Sequence, residues 1–417
     1  MKVYRFFIFV FILVSFITRT IGGEDGLFSR IIVADIFGAI AIIFYLFFGK
    51  RLNASARINS GWILILFFGI GILGSYFPLK SSFEVIILAF LLVIFTTIVT
   101  HFKTEERFIQ LVLAFAWASL IGSTVGLYDS FIGGHGLPRI FPERAQGEAL
   151  SGFRNAGQAG AYMFITVAML FSFNNSKLFY RLPLRTRNFL RVALFVSFLF
   201  FITTGKIAAY IGFLVSFFMY LIYKRNFRVL ISSATVFAVI VLIVANLETI
   251  SPLMYNRLVL RVKTRVLEPV EGKEGNVGTN FIKSNFGGAL VAFGDNPLTA
   301  SGIGGFLNRY GRYEVHSTYL KIIGETGLIG IFAYLLFMFY FLKMFYITRS
   351  VSKKNPYASF LRETAPLVFG LLVSWAYTYH LRKREFWIFY AIYFIAYQLM
   401  LQYEKKEKEA QLALKED

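Results

Sequence analysis

The chain has 417 residues, 57% of them hydrophobic, with 50 Phe and 23 Tyr, and it carries 43 Lys and Arg against 23 Asp and Glu for a net charge of +20. That apolar load exceeds what a soluble core buries and places the chain among polytopic helical membrane proteins. Much of the positive excess falls in short loops between apolar runs, where it sets topology rather than binding nucleic acid, and the absence of cysteine removes disulfides and thiolate metal sites.

Lys2 and Arg5 precede an apolar run at 6–17, and no small-residue cleavage pattern follows it, so the run reads as a retained first span. Further spans are predicted at 31–48, 62–76, 85–100, 108–128, 157–173, 189–204, 207–223, 229–245, 318–346, 365–379 and 386–402. Together they predict an all-α polytopic membrane protein of about twelve helices, with residues 1–417 as a single transmembrane domain. Loops rich in Lys and Arg alternate with poorer ones: Lys50, Arg51 and Arg57; Lys177, Arg181, Arg185, Arg187 and Arg191; Lys224, Arg225 and Arg228; Arg349, Lys353, Lys354 and Arg362. The rich loops and both termini are therefore expected on the cytoplasmic side. One connection breaks the alternation, because Arg382-Lys383-Arg384 falls on the opposite face. Either the last hairpin is re-entrant, or an anionic partner holds those cations outside.

Two connections on the outer face exceed tight turns. Residues 129–156 are rich in Gly, Pro and Arg, and a second stretch, from about Asn246 to Val315, runs for some seventy residues. This long loop reads as partly helical, since Arg257, Arg261 and Arg265 stand four apart along one helix face. The charged, glycine-rich 271–278 reads as a turn or mobile segment, and 281–293 as a short amphipathic helix on the membrane surface. The Lys/Glu tail at 404–417 reads as a solvated, fraying end.

The stretch from Pro297 to Gly330 organises the rest. Gly302, Gly304 and Gly305 lack a Cβ, so the backbone there can take positive φ or lie close against a ligand. His316-Ser317 follows where a helix begins, and the amides and dipole of that helix favour an anion and a neutral imidazole, a general base beside bound phosphate. The bland alternative is a His that caps or packs a helix entrance. Glu314 either orients the His316 ring or is simply solvated. Of the other histidines, His101 lies in a basic loop, His135 in the shorter outer loop and His380 beside the displaced cluster.

The outer face also gathers more cations than topology requires. Arg257, Arg261, Arg265, Arg309 and Arg312 come from the long loop, Arg139, Arg144 and Arg154 from the shorter one, and Lys206 from a turn between two spans. Guanidinium forks match phosphate oxygens, which makes a diphosphate the natural ligand, with anionic lipid headgroups as the alternative. Lys206, wedged between apolar runs, is costly unless paired or functional. No Asp-x-Asp, His pair at helical spacing, G-x-S-x-G or Walker-type loop is present, so no metal or cofactor is implied.

His316-Ser317, nine residues, then Gly327-Leu328-Ile329-Gly330 resembles the His-[Asn/Ser/Gln]-x9-Gly-x-x-Gly signature of the O-antigen ligase and O-antigen polymerase superfamily. Asn296-Pro297, Gly302-Ile303-Gly304 and Phe306 resemble the Pro-x-x-Gly-x-Gly approach to that His, and a long loop before the tenth span is similar to the family's topology. The resemblance implies a bacterial inner-membrane enzyme that moves a glycan from an undecaprenyl-diphosphate carrier to an acceptor hydroxyl at the periplasmic face, without metal. Residues 246–317 are then periplasmic and 404–417 a cytoplasmic tail. His316 takes the role of activating the acceptor hydroxyl, and the outer cations become the carrier-diphosphate clamp. Where the family usually has Arg in a Ser/Thr-Arg-Gly-type turn this chain has Thr204-Gly205-Lys206, so Lys206 is the counterpart. Among long-loop arginines Arg265 is chosen, then Arg261, because the position nearer the motif offers only Lys283. Arg154, Arg144 and Arg309 complete the expected donor site, and Gly302, Gly304, Gly327, Gly330 and Glu314 shape it. Gly152-Phe153-Arg154-Asn155 resembles the Gly-Phe-x-Asn element before the sixth span, without the usual following Pro-Asn.

The expected function is O-antigen ligase, with lipid A-core as acceptor and membrane lipids as surroundings. One dominant long loop favours it over an O-antigen or exopolysaccharide polymerase of the same chemistry. A lipid-linked glycan transporter is the alternative of another class, but polar residues spread through the spans and an internal repeat, its expected marks, are not evident.

Overall fold

A computed structural model describes residues 3–19, 31–48, 60–132, 151–224, 246–250, 277–307, 309–311 and 314–416, together with positions 138, 140, 141, 255, 259 and 263. Among them every regular element is helical. The longer helices are α1 (Val3–Leu13), α2 (Val33–Phe48), α3 (Ser60–Gly71), α4 (Pro78–His101), α5 (Glu105–Phe131), α6 (Ala156–Asn174), α7 (Leu184–Thr203), α8 (Ile207–Lys224), α9 (Val277–Asp295), α10 (Thr318–Ile347), α11 (Pro356–Trp375) and α12 (Arg384–Glu416), and Lys177–Tyr180 and Leu247–Ile250 form single turns. Seven of them, α4 to α8, α10 and α12, are long and apolar enough to cross a membrane, and α1, α2 and α3 are shorter apolar helices. The expectation of about twelve spans also counted α11 and residues 229–245, and the latter lie outside the described residues.

Side chains sort as a bilayer demands. Phe195, Phe218, Phe332, Leu335 and Phe339 are exposed on helix flanks, whereas Trp375, Trp387, Tyr390, Tyr393 and Phe95 are fully buried. An exposed surface so rich in large apolar groups needs lipid against it to stay dispersed. α6 is the most enclosed of the long helices and packs on α7, α8 and α11. α8 and α11 pack backbone to backbone, so that a Cβ at Gly370 would fall on Ser216 Oγ and the Gly212 carbonyl. Small residues let these backbones approach, and Ser216 Oγ donates to the Leu367 carbonyl at 3.0 Å across the contact.

Three boundaries differ from expectation. α11 begins at Pro356 rather than 365, because Asn355 caps it by accepting from the Tyr357 and Ala358 amides. α12 continues to Glu416, so most of the tail expected to fray is an exposed helix, with Lys405 and Glu409 paired one turn apart at 3.7 Å. α9 starts at Val277, inside the expected turn at 271–278, and its Ala289 packs on Gly324 of α10.

The bundle has two distinct ends. At one, Lys177 Nζ donates to the Lys353 carbonyl at 2.8 Å and Arg181 stands 4.0 Å from Glu105, so basic connections gather there. At the other, α4, α6, α8, α10 and α12 begin while α5, α7 and α11 end. The organising stretch lies at this second end.

Candidate functional site

The site is built on a helix that is interrupted. Gly327 sits within α10 at φ 57°, ψ −155°, a conformation open to glycine and closed to other residues. The break strips nearby backbone groups of their helical partners, and the preceding loop replaces them. Leu328 N donates to the Pro297 carbonyl at 2.9 Å and Ile329 N to Leu298 at 3.2 Å. Ser301 donates through Oγ to the Gly324 carbonyl at 2.9 Å. Backbone that leaves the helix inside an apolar bundle must be satisfied by protein, and here the loop does so.

The loop itself is fixed by the glycines that the sequence singled out. Gly302 and Gly304 have φ of 78° and 77°. A Cβ at Gly302 would strike Ser75, and the Ile303 carbonyl accepts from Ser81 Oγ at 2.6 Å. The Gly304 amide donates to Glu325 at 2.5 Å, and Glu325 forms a buried ion pair with Lys321 one turn earlier on α10 at 2.8 Å. Gly330 is helical and packs near Phe68. These contacts deliver the chain to Ser317, which caps α10 by accepting from the Leu320 amide at 3.2 Å.

His316 directly precedes that cap. Its pKa is lowered from 6.5 to about 4, first by burial, then by the Lys206 ammonium, with Arg382 and Lys321 acting in the same direction and Glu314 opposing them. By surface area, however, the residue is exposed rather than buried. Burial therefore weighs less than it would on a fully enclosed ring, and the cations give the downward direction an independent cause. At neutral pH the imidazole is uncharged and can accept a proton.

Lys206 acts on this ring from the α7–α8 turn. Gly205 takes φ 64° there, its amide donates to Tyr210 Oη at 2.8 Å, and Tyr210 donates to the Ile202 carbonyl at 2.6 Å. The Lys206 stem then crosses α6 at Gly160, with Nζ 3.6 Å from where a Gly157 Cβ would stand. Asn155 caps α6 by accepting from Gln158 N, so the ammonium lies beside a helix entrance.

The displaced cluster finds its anions within the chain. Arg384 grips Asp35 with two nitrogens, and Arg382 pairs with Glu84 at 3.0 Å and with Glu314 at 3.4 Å. Lys383 is paired with Glu385 at 3.9 Å, and burial pushes its ammonium down. His380 is buried, with Nε2 3.1 Å from Ser374 Oγ and its amide donating to Thr318 Oγ1 at 3.2 Å. It ties the α11–α12 turn to the start of α10.

Other expected residues are placed differently. Arg154 bonds through its amide to Thr18 Oγ1 at 2.9 Å and is half-buried beside the α6 cap. Arg309 lies over the Tyr76 ring, 3.3 Å from its centroid, so its flat face is already occupied by an aromatic. The charges acting most strongly on His316 are Lys206, Glu314, Arg382 and Lys321, and neither Arg154 nor Arg309 is among them. Arg144, Arg261 and Arg265, with Arg139, Arg257 and Arg312, lie outside the described residues.

Glu84, Lys321 and Glu325 escaped the sequence reading. The missed signal was a pair of charges four apart within an apolar run, as in Lys321 and Glu325. Among the described residues no three of His, Cys, Asp and Glu gather as a metal-binding set. Compared with known protein families and with curated proteins, the chain matches no family model and no curated sequence.

Proposed function

We propose that the chain is a membrane glycosyltransferase that moves a glycan from an undecaprenyl-diphosphate carrier to an acceptor hydroxyl, most specifically an O-antigen ligase acting on lipid A-core. The observation that carries this reading is a neutral imidazole, His316, held uncharged in part by the Lys206 ammonium and the Arg382 guanidinium, with Arg382 paired at 3.4 Å to Glu314 two residues before it, at one end of an apolar bundle. The basic connections at the opposite end would face the cytoplasm and put His316 on the periplasmic side.

In this reading the acceptor hydroxyl gives its proton to the imidazole as its oxygen attacks the anomeric carbon. The bond from that carbon to the diphosphate breaks, its electron pair leaves with the diphosphate, and attack from the opposite face inverts configuration. Lys206 and Arg382 offset the charge that develops on the leaving group, so the reading requires no metal. An imidazole near 4 is a weak base in the empty site. A bound diphosphate would compensate the cations that hold it down, so basicity rises with the donor in place.

The test is transfer by the purified chain in detergent, from carrier-linked glycan to lipid A-core. Transfer without a sealed membrane supports the enzyme, and carrier translocation without transfer supports a transporter. The lipopolysaccharide ladder of a deletion strain separates the two enzymes: a ligase mutant loses all O-antigen, and a polymerase mutant keeps core plus one unit.

A further inference from the structure

The two ion pairs of Arg382 are unequal. One nitrogen meets Glu84 at 3.0 Å, and the Glu84 side chain is 2% exposed. Another reaches Glu314 at 3.4 Å, and the Glu314 side chain is 30% exposed. Glu84 cannot leave without stranding a buried charge, whereas Glu314 can exchange its partner for water at little cost. Gly304 packs against Glu84, with Cγ 3.1 Å from where its Cβ would stand, and the grip of Arg384 on Asp35 fixes the turn that carries Arg382. The guanidinium is thus mounted rigidly through one arm and holds an exchangeable carboxylate with the other.

We propose that Glu314 is the resident counter-ion of Arg382 at the His316 site, displaced when a diphosphate enters between Arg382 and Lys206. The choice of diphosphate over other anions rests on the function proposed above. In the empty site Arg382 holds Glu84 and Glu314, and Lys321 is paired with Glu325. A diphosphate binding Arg382 with Glu314 still in place would meet a like-charged carboxylate beside it. Release of Glu314 to water avoids that repulsion and frees one nitrogen of the guanidinium.

The experiment titrates the full-length chain in detergent with inorganic pyrophosphate and, separately, inorganic phosphate by calorimetry. Glu314→Gln removes the competitor and is expected to tighten pyrophosphate binding about two- to fivefold. Removing Arg382 alone takes the guanidinium from the buried Glu84, so the double variant Glu84→Gln/Arg382→Gln is used, with thermal unfolding as the check on its fold. It is expected to weaken pyrophosphate binding at least about tenfold. The His316 ring provides a second readout by NMR. The charged groups facing it are Lys206 on the α7–α8 turn, Glu314 on its own loop, Lys321 on α10 and Arg382 on the α11–α12 turn, and its titration midpoint is expected to rise when pyrophosphate binds.

Unchanged or weaker pyrophosphate binding in Glu314→Gln overturns the proposal, as does phosphate binding as tight as pyrophosphate. If the double variant does not fold, the Glu314→Gln titration still decides. Pyrophosphate responses as expected with no glycan transfer would remove the proposed function and leave the exchange standing. Transfer together with an unresponsive Glu314→Gln would do the reverse.

Discussion

Lys206 lies across the face of α6 that Gly160 leaves bare, its Cβ 2.6 Å from where a Gly160 Cβ would stand, with the Ala209 Cβ at 3.2 Å. Both neighbours are stem atoms close to the backbone, so Gly160→Ala must push the α7–α8 turn outward rather than bend a flexible tip. Lys206 then retreats from His316. Turnover is expected to fall about ten- to a hundredfold. The His316 titration midpoint is expected to rise, because Lys206 is the strongest of the charges holding it down. A variant with wild-type rate and midpoint would show that the turn does not depend on this contact.

Gly327→Ala tests the interrupted helix. A Cβ there would sit 2.6 Å from the carbonyl atoms of Pro297 and Leu298, on a backbone already closed to alanine. The expected cost is about 2 to 4 kcal/mol, from combined strain and overpacking. It should appear as a lower thermal midpoint in detergent. An unshifted midpoint would mean that the loop is not stitched to α10 as described.

What could be read from the sequence was local. Hydropathy located the seven long helices, and a Ser after His316 before an apolar run marked the start of α10. Of the clustered glycines Gly302 and Gly304 do take positive φ, but Gly305 does not, and Gly205 and Gly327, which also do, stand outside that cluster. α11 was clipped because Arg362 and Glu363 depress hydropathy in its first turns. Both are satisfied by distant groups: Arg362 by the Thr348 and Val351 carbonyls, Glu363 by Lys224 and Tyr220. The charge cluster was illegible for the same reason, as Arg384 and Asp35 are 349 positions apart and no periodicity links them. Arg382 drew attention as an exception to topology, but its partners on α4 and the loop could be found only in three dimensions.

That pairing gives a stability prediction. Arg384 and Asp35 are both buried, so Asp35→Asn takes from the guanidinium the carboxylate that grips it and is expected to cost about 3 to 5 kcal/mol. Asp35→Asn/Arg384→Gln removes both charges and is expected to recover part of the loss. Thermal unfolding of the wild type, both single variants and the double variant closes the cycle. If the single losses simply add, the two residues are not coupled.

The last prediction concerns pH. The His316 imidazole protonates near 6.5 when unfolded and near 4 when folded, so between those values the unfolded chain binds the extra proton. Its contribution to stability is therefore flat above about 6.5 and is lost as pH falls towards 4. The acid limb of kcat/KM reports the free enzyme and is expected nearer 4 than 6.5. Carboxylates titrate in the same range, so the position of the limb alone does not identify its owner. The variants and the ring signal together do: Lys206→Met is expected to raise the limb by removing a cation that disfavours imidazolium, and Glu314→Gln to lower it by removing the carboxylate that favours it. Lys206→Met also slows turnover, yet the midpoint of its limb stays measurable at a reduced rate. Opposite movements place the titrating group beside both residues, and a His316 ring midpoint, followed by NMR, that moves with the limb assigns it to the imidazole; a limb that neither variant moves belongs to another group and takes the imidazole out of the rate-determining proton transfer.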